Sequence, residues 1–189
     1  MKRFTALFIS LVLSVPAFAT DYTITGGYFG ARTISGFDSL IMTGGGDSLT
    51  GEDNSVLDIR NTSPLVVLSG GLWDVILRDS SHLNFSGGQM SQLNIDDYAT
   101  AVLSGGLINK IRNYQTAYSP HIEVICKDYL YNATSKILTG TWTNNSTFNT
   151  QLIDVAGYTP TYNNIEFTII PEPTSLLLLA AGGLLLKRR

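Results

Sequence analysis

The stretches LNFSGGQMSQL (Leu83–Leu93) and AVLSGGLINKI (Ala101–Ile111) share one pattern, in which an alternating segment leads into Ser-Gly-Gly and a second alternating segment follows. Related triplets begin at Thr25, Thr43 and Ser69, so the five starts are 18, 26, 17 and 18 residues apart. Alternation of apolar and polar residues is typical of a strand with one buried face. Each unit is therefore predicted to be a strand, a Gly-Gly turn and a second strand.

The same positions are apolar from one unit to the next. The residues three and one before the triplet are Leu40 and Met42, Val66 and Leu68, Leu83 and Phe85, and Ala101 and Leu103. Those four and seven after its first residue are Trp73 and Ile76, Met90 and Leu93, and Ile108 and Ile111. A unit this short cannot hold a strand–helix–strand repeat, but it matches one coil of a parallel β-helix. The predicted fold class is all-β, a single-stranded parallel β-helix-like solenoid of 17–18-residue coils, with an antiparallel meander of hairpins as the alternative.

The glycine pairs and the one long spacing carry two further predictions. A bend between strands needs positive φ, which glycine adopts without steric cost, so Gly70, Gly87 and Gly105 are predicted to occupy the turns. The wider spacing between Thr43 and Ser69 predicts one coil with an eight-residue insertion, placed within Asp47–Ser55.

The Gly-Gly pattern ends after Tyr114, so the repeats cover about 25–113. HIEVICKDYLYN (121–132) alternates, LTGTWTNNSTFNTQLI (138–153) predicts a hairpin turning at Asn144 and Asn145, and NNIEFTII (163–170) supplies a last strand. Together they predict a C-terminal β cap over about 121–168, which would cover the unpaired edge of the last coil.

Charge and cysteine content restrict the possible functions. Residues 20–170 contain seven Lys or Arg and fourteen Asp or Glu, a net charge of −7 with histidine neutral. A nucleic-acid interface needs a basic face, so nucleic acid is not expected as a partner. Cys126 is the only cysteine, which excludes an intramolecular disulfide, and its alternating surroundings predict a buried thiol. His82, expected at the surface, and His121 lie in no zinc or triad motif, and neither catalytic residues nor cofactors are predicted.

Two carboxylates form the candidate site of the repeat region. Asp79 and Asp97 each lie seven residues before a Ser-Gly-Gly triplet, so stacked coils would place them about 5 Å apart. Such a pair could hold Ca²⁺ or act as an acid/base pair on a polysaccharide. The simpler interpretation is two turn residues, with Asn61–Thr62 at the corner one coil earlier. A second calcium candidate, for which a solvated acidic loop is the alternative, is the run Asp47, Glu52, Asp53 and Asp58.

The first nineteen residues have the layout of a secretory signal peptide. Lys2 and Arg3 precede the apolar stretch Leu7–Val15, and the small residues Ala17 and Ala19 mark a cleavage site. A signal helix over 1–19 and a secreted body over 20–170 are therefore predicted.

The chain ends PEPTSLLLLAAGGLLLKRR, predicted to be a separate segment over 171–189. A helix over Leu176–Leu186 would be about 16 Å long, whereas a comfortable membrane span needs about 20 residues. This C-terminal hydrophobic helix would be a transient anchor in the inner membrane, with the final cations on the cytoplasmic side. The anchoring leucines are Leu176, Leu177, Leu178, Leu179, Leu184, Leu185 and Leu186, and the cations are Lys187, Arg188 and Arg189.

The tail resembles the PEP-CTERM sorting signal of Gram-negative bacteria, because Pro171, Glu172 and Pro173 precede an apolar run and a basic cluster. The resemblance implies processing by an exosortase, a membrane-embedded cysteine protease or transpeptidase that removes the tail as the protein passes to the cell surface. The repeats over Thr25–Arg112 also resemble the SGG-containing passenger repeats of self-associating autotransporter adhesins, which are β-helices.

These features predict an exosortase-sorted protein of the cell surface or extracellular matrix that is not an enzyme. Its expected role is structural or adhesive within a biofilm or exopolysaccharide layer, with exopolysaccharide or a second copy of the chain as partner. One alternative is a small β-helix protein that binds or degrades polysaccharide with stacked carboxylates such as Asp79 and Asp97. Another is an ice-binding protein, although Thr25 and Thr43 give way to serine in the later triplets.

Overall fold

The computed structural model describes residues 19–25, 28–43, 45–60, 71–116 and 121–171. Residues 1–18 of the predicted signal helix and the tail from Glu172 onward, including the hydrophobic helix and its cations, lie outside these ranges. Ala19 and Pro171, at the two ends of the described part, are both exposed.

Within the described residues fifteen β-strands form one sheet, and the all-β prediction is confirmed. The one helical element in these ranges is a short 3₁₀ helix, Thr161–Asn164. The strands are β1 (Asp21–Ile24), β2 (Tyr28–Phe29), β3 (Arg32–Ile34), β4 (Ser39–Met42), β5 (Gly45–Gly51), β6 (Val56–Arg60), β7 (Gly71–Leu77), β8 (His82–Gly87), β9 (Gln89–Asp96), β10 (Thr100–Leu103), β11 (Leu107–Tyr114), β12 (Ile122–Asn132), β13 (Ile137–Trp142), β14 (Thr147–Ile153) and β15 (Ile165–Ile169).

The sheet contains two rows of parallel strands. The first row runs β1, β4, β6, β8, β10, β12, and the second runs β5, β7, β9, β11, β14, with β2 and β3 both beside β5. From β4 to β11 the chain alternates between the rows, so neighbours within a row are separated in sequence by one strand of the other row. Ser39 pairs with Val56, and His82 pairs with Thr100. This parallel pairing differs from the antiparallel pairing of a hairpin meander.

The inward positions of both rows form one apolar core. In the first row Leu40, Met42, Leu83, Phe85, Ala101 and Leu103 are buried, as predicted, and in the second row so are Met90, Leu93, Ile108 and Ile111. The prediction for Ile76 is wrong by one residue, because the buried Val75 pairs with Leu93. At the other position Leu72 pairs with Met90, and the Trp73 side chain lies outside what the structure describes. The triplets at Ser69 and Ser86 lie one position closer together in the sequence than the paired residues of β7 and β9. Val66 and Leu68 lie outside the described residues.

The register also relocates the predicted insertion. Leu57 of β6 pairs with Leu83 of β8, whereas Leu72 of β7 pairs with Met90 of β9. The partners in the first pair are eight positions further apart in the sequence than those in the second, so the extra residues must lie between β6 and β7. This is the interval 61–70, outside the described ranges. The predicted location within Asp47–Ser55 is wrong, since β5 runs through it as a strand paired with β7.

In the two described Ser-Gly-Gly triplets, at Ser86 and Ser104, the first glycine does not supply the positive φ. Positive φ values belong to the second glycines, Gly88 (95°) and Gly106 (79°), whereas Gly87 is the last residue of β8. The predictions for Gly87 and Gly105 are therefore wrong by one position. At Gly105 a Cβ would approach the Ser86 carbonyl oxygen to 2.3 Å, so this glycine is required by the close contact of two backbones. Gly70 lies outside the described residues.

The predicted C-terminal hairpin is confirmed. β13 and β14 pair antiparallel, Asn145 has φ of 69°, and the backbone N–H of Ser146 donates to Asn144 Oδ1 at 2.9 Å. β12 pairs with β10 in parallel and with β13 antiparallel, while β14 pairs with β11 in parallel, so the hairpin joins the two rows. The buried Trp142 ties the hairpin to the glycine turn, since its Nε1 donates to the Gly106 carbonyl oxygen at 2.9 Å.

Candidate functional site

The corners that lead from the second row to the first carry a ladder of carboxylate hydrogen bonds. Asp53, Asp79 and Asp97 have left-handed φ values of 56°, 55° and 51°. The backbone N–H of Gly36 donates to Asp53 Oδ2 at 2.9 Å, that of Asp53 to Asp79 Oδ2 at 3.1 Å, and that of Asp79 to Asp97 Oδ2 at 3.3 Å. These four residues are called the corner ladder below. Asp79 and Asp97 thus lie at successive corners, and both are exposed turn residues.

The sequence dictates this corner through a short pattern. Aspartate tolerates the left-handed region because its short polar side chain can hydrogen-bond the local backbone. Two residues later comes a small, fully buried residue, which is Ser55, Ser81 or Ala99 in successive corners. The next residue begins a strand of the first row. The prediction that Asn61–Thr62 forms the corner before Asp79 is wrong, because Asp53 occupies it. The Asp-x-small pattern that these corners share is the signal that could have identified it.

The acidic run considered as a calcium site is divided among different contacts. Glu52 accepts from Arg78 Nη1 at 3.1 Å, Asp58 accepts from Arg60 Nε at 2.7 Å, and Asp53 belongs to the corner ladder. Asp47 lies exposed in β5. No group of three or more His, Cys, Asp or Glu side chains in the described ranges is placed to hold a metal ion.

His82 is more enclosed than a plain surface residue. Its half-buried ring places Nδ1 2.7 Å from Thr100 Oγ1 and Nε2 3.0 Å from Asn84 Oδ1, so both nitrogens are occupied. His121 immediately precedes β12, and its buried Nε2 has no hydrogen-bond partner among the described residues. It borders a cavity of about 210 Å³ that also includes Glu123 and Glu166.

Cys126 is fully buried in β12, as the alternation predicted. Burial raises the pKa of its thiol, and the negative charge of Asp128 raises this pKa further. Both effects oppose formation of the thiolate, which is the nucleophilic form of cysteine. Cys126 therefore acts as a small apolar core residue.

A groove that the sequence did not reveal lies on the outward face of β7, β9 and β11. It encloses about 310 Å³ and is named the outer groove. Its members lie at outward positions or near the ends of strands, where the alternation of apolar residues places no constraint on residue type. The outer groove is lined by Ile76, Arg78, Gln92, Asn94, Asp96, Arg112 and Tyr114.

Among the described residues, no helix has the length and apolar character needed to span a membrane. Comparisons of the chain with protein-family models, with curated proteins and with solved structures give no match.

Proposed function

We propose that this chain is a secreted, non-catalytic β-solenoid protein of the cell surface or extracellular matrix. The solenoid interpretation is supported by the two rows of parallel strands. The sequence offset between paired strands of the first row is 17 or 18 residues in three of the five pairs, and it widens to 26 between β6 and β8 and to 21 between β10 and β12. A repeated offset interrupted by insertions is the signature of stacked coils. Each coil contributes one strand to each row, and the hairpin β13–β14 covers the last coil.

The observation that carries the non-catalytic role is the corner ladder. The Asp79 and Asp97 carboxylates were the strongest candidates for acid/base chemistry, and each accepts a backbone N–H from the preceding coil. The same type of hydrogen bond joins the Gly36 N–H to the Asp53 carboxylate, where its only role is to hold one coil against the next. A carboxylate used identically at successive corners is a repeated architectural element, as expected for a solenoid whose coils contact only their neighbours.

The location is proposed from the two ends of the chain. The signal peptide over 1–19 sends the body across the inner membrane, and Pro171–Pro173 with the following apolar run presents the tail to an exosortase. The acidic body suits a surface or matrix component that has to remain soluble, since a net charge far from zero opposes nonspecific association.

Intact-mass measurement of protein extracted from the cell surface tests the location. We expect the mass of a polypeptide that begins near Thr20 and ends near Pro171–Pro173. A surface-extracted mass that still includes Leu176–Arg189 would overturn the sorting proposal.

The non-catalytic role is tested by incubating wild type and Asp97→Asn with exopolysaccharide from the host, with and without calcium. We expect no product from either protein. Product released by wild type and lost in Asp97→Asn would identify the corner as an active site and reject the structural role.

A further inference from the structure

We propose that the outer groove binds a uronic-acid unit of an acidic polysaccharide, an inference that rests on the proposed surface role and gives it a ligand class. The groove crosses three neighbouring strands, with Ile76, Asn94 and Arg112 side by side in register. Strands are separated by about 4.8 Å, so this row extends about 10 Å across the sheet. The groove is therefore wide enough for a small ligand held by side chains from three coils.

Arg112 supplies the charge that selects the ligand. Its Nε is buried and has no hydrogen-bond partner among the described residues. The strand neighbours of Arg112 are Asn94 and Ile153, neither of which can neutralise a guanidinium. A buried donor without an acceptor is unfavourable, and the planar fork of arginine fits a carboxylate bidentately. A ligand carboxylate at the Arg112 guanidinium would supply the opposite charge that these strand neighbours lack.

The other charges in the groove argue for a ligand that also carries hydroxyl groups. Arg78 is already paired with Glu52 at 3.1 Å. Asp96 lines the same cavity, and one of its oxygens accepts the N–H of Asp97 at 2.9 Å. Its second oxygen would repel further negative charge, but it can accept a hydrogen bond from a hydroxyl. A compact, highly charged anion such as phosphate therefore fits less well than a ligand with one carboxylate and several hydroxyls.

The amides and the aromatic ring complete the match to a sugar. Gln92 Nε2 donates to Asn94 Oδ1 at 2.9 Å, which leaves the Asn94 amino group and the Gln92 carbonyl oxygen for ligand hydroxyls. Tyr114 is held edge-on by Tyr158, with ring centroids 5.6 Å apart. A positioned aromatic ring provides an apolar surface beside polar groups, which suits the mixed character of a sugar ring.

Isothermal titration of the full chain in detergent, in calcium-free buffer, tests the proposal. The probe is a trimer of α-1,4-linked galacturonic acid, and the matched control is the same trimer with every carboxylate methyl-esterified. We expect saturable binding of the acidic trimer only. Arg112→Gln should weaken this binding at least tenfold, whereas Arg60→Gln, which removes the same charge from the first row, should leave it unchanged.

Gln92→Glu is a second variant that adds a carboxylate at a polar position and does not depend on how Arg112→Gln folds. It should also abolish binding of the acidic trimer. Equal binding of the acidic and esterified trimers, an equal loss in Arg60→Gln, or no binding by wild type would each overturn the proposal. Binding of monomeric galacturonate as tightly as the trimer would show a free-sugar site and reject the polysaccharide. These binding results do not depend on the intact-mass measurement. If the groove does not bind the acidic trimer, the proposed surface location is still tested separately by the intact mass.

Discussion

The backbone N–H of Asp79 donates a hydrogen bond to Oδ2 of Asp97 at the next corner at 3.3 Å, while both residues have left-handed backbone conformations. Each aspartate therefore meets two requirements of its corner. Its short polar side chain tolerates positive φ, and its carboxylate accepts the N–H of the corner before it. At the first corner of the ladder, glycine replaces aspartate. Gly36 meets the first requirement with φ of 70°, and it only donates its backbone N–H to Asp53, which requires no side chain.

The two requirements can be separated at Asp79. Asp79→Ala removes the acceptor for the Asp53 N–H and places a Cβ without polar compensation at positive φ. We expect a loss of about 2 kcal/mol in the free energy of unfolding. Asp79→Asn keeps an oxygen acceptor and the tolerance of positive φ, so its loss should be below about 0.5 kcal/mol. Urea unfolding of the two variants measures the difference, and equal losses would contradict this account of the corner.

The small residue that follows each corner gives a prediction of opposite sign. The Ser81 side chain is fully buried, and its hydroxyl has no hydrogen-bond partner in the described part of the chain. At the next corner Ala99 fills the equivalent position, since His82 and Thr100, which follow these two residues, are paired. Ser81→Ala should therefore raise the free energy of unfolding by about 1 kcal/mol, because it removes an unsatisfied buried hydroxyl.

A matched serine serves as the control for Ser81→Ala. The hydroxyl of Ser39 donates to Asp21 Oδ1 at 2.5 Å, so Ser39→Ala should lower the stability. Thermal unfolding of both variants shows whether Ser81→Ala raises the stability while Ser39→Ala lowers it. A destabilised Ser81→Ala would mean that its hydroxyl has a partner or fills space that alanine leaves empty.

The alternation and the repeat made the strands predictable, because apolar residues at every second position of a strand are driven to one face. This correctly identified Leu83, Phe85, Met90 and Leu93 as core residues. The exact register was less accessible, since Trp73 and Ile76 were aligned by triplet spacing. The pairing of two strands is set by their backbone hydrogen bonds and not by the position of the triplet. The triplet at Ser69 follows the extra residues between β6 and β7, and its spacing to the triplet at Ser86 is one residue shorter than the offset between the paired residues of β7 and β9.

The outer groove and the corner ladder could not be predicted in the same way. Arg112 and Asp96 occupy outward positions with no periodic constraint on residue type, so only the register shows that they border one cavity. The sequence groups Asp53 with an acidic run because the extra residues between β6 and β7 hide its equivalence to Asp79. Its role depends on a long-range contact that no local window contains.

Substitution of the second glycine of a Ser-Gly-Gly triplet should lower the free energy of unfolding more than substitution of a glycine whose only requirement is positive φ. At Gly106 a Cβ would lie 2.6 Å from the Phe85 ring and 2.7 Å from the Gly88 carbonyl oxygen. Gly106→Ala combines strain at positive φ with overpacking, and we expect a loss of about 3 kcal/mol.

Gly157→Ala is the matched control for Gly106→Ala. Gly157 has φ of 90°, but a Cβ there would meet nothing within 4 Å. This variant should lose only about 1 kcal/mol, which is the cost of the backbone conformation alone. Chemical denaturation of both proteins gives the difference. Equal losses would show that the contact with Phe85 and Gly88 relaxes at no cost.

The ion pair between Lys136 and Asp154, which flank the hairpin β13–β14, predicts how the stability of the fold depends on pH. Lys136 Nζ lies 2.6 Å from Asp154 Oδ2, and Asp154 Oδ1 accepts the backbone N–H of Thr161 at 2.9 Å. Burial raises the pKa of Asp154, but the hydrogen bonds from Lys136 and Thr161 and the charge of Lys136 outweigh it, so the net pKa is lowered. A carboxyl whose folded pKa lies below its unfolded value of about 3.9 stabilises the fold above that pH and loses this contribution as the pH falls through the folded pKa.

Asp154→Asn keeps an oxygen for the Thr161 N–H and removes the charge that pairs with Lys136. Because the pair is partly exposed, we expect a loss below about 1 kcal/mol at neutral pH. The difference from wild type should narrow steadily once the pH falls below about 4, since protonation then makes the wild-type carboxyl neutral as well. Lys136→Gln should show the same trend, and Lys136→Gln combined with Asp154→Asn should cost less than the sum of the two. Unfolding curves between neutral pH and about pH 2 measure all four proteins, and a loss in Asp154→Asn that stays constant over this range would show that the ion pair contributes nothing to the stability of the cap.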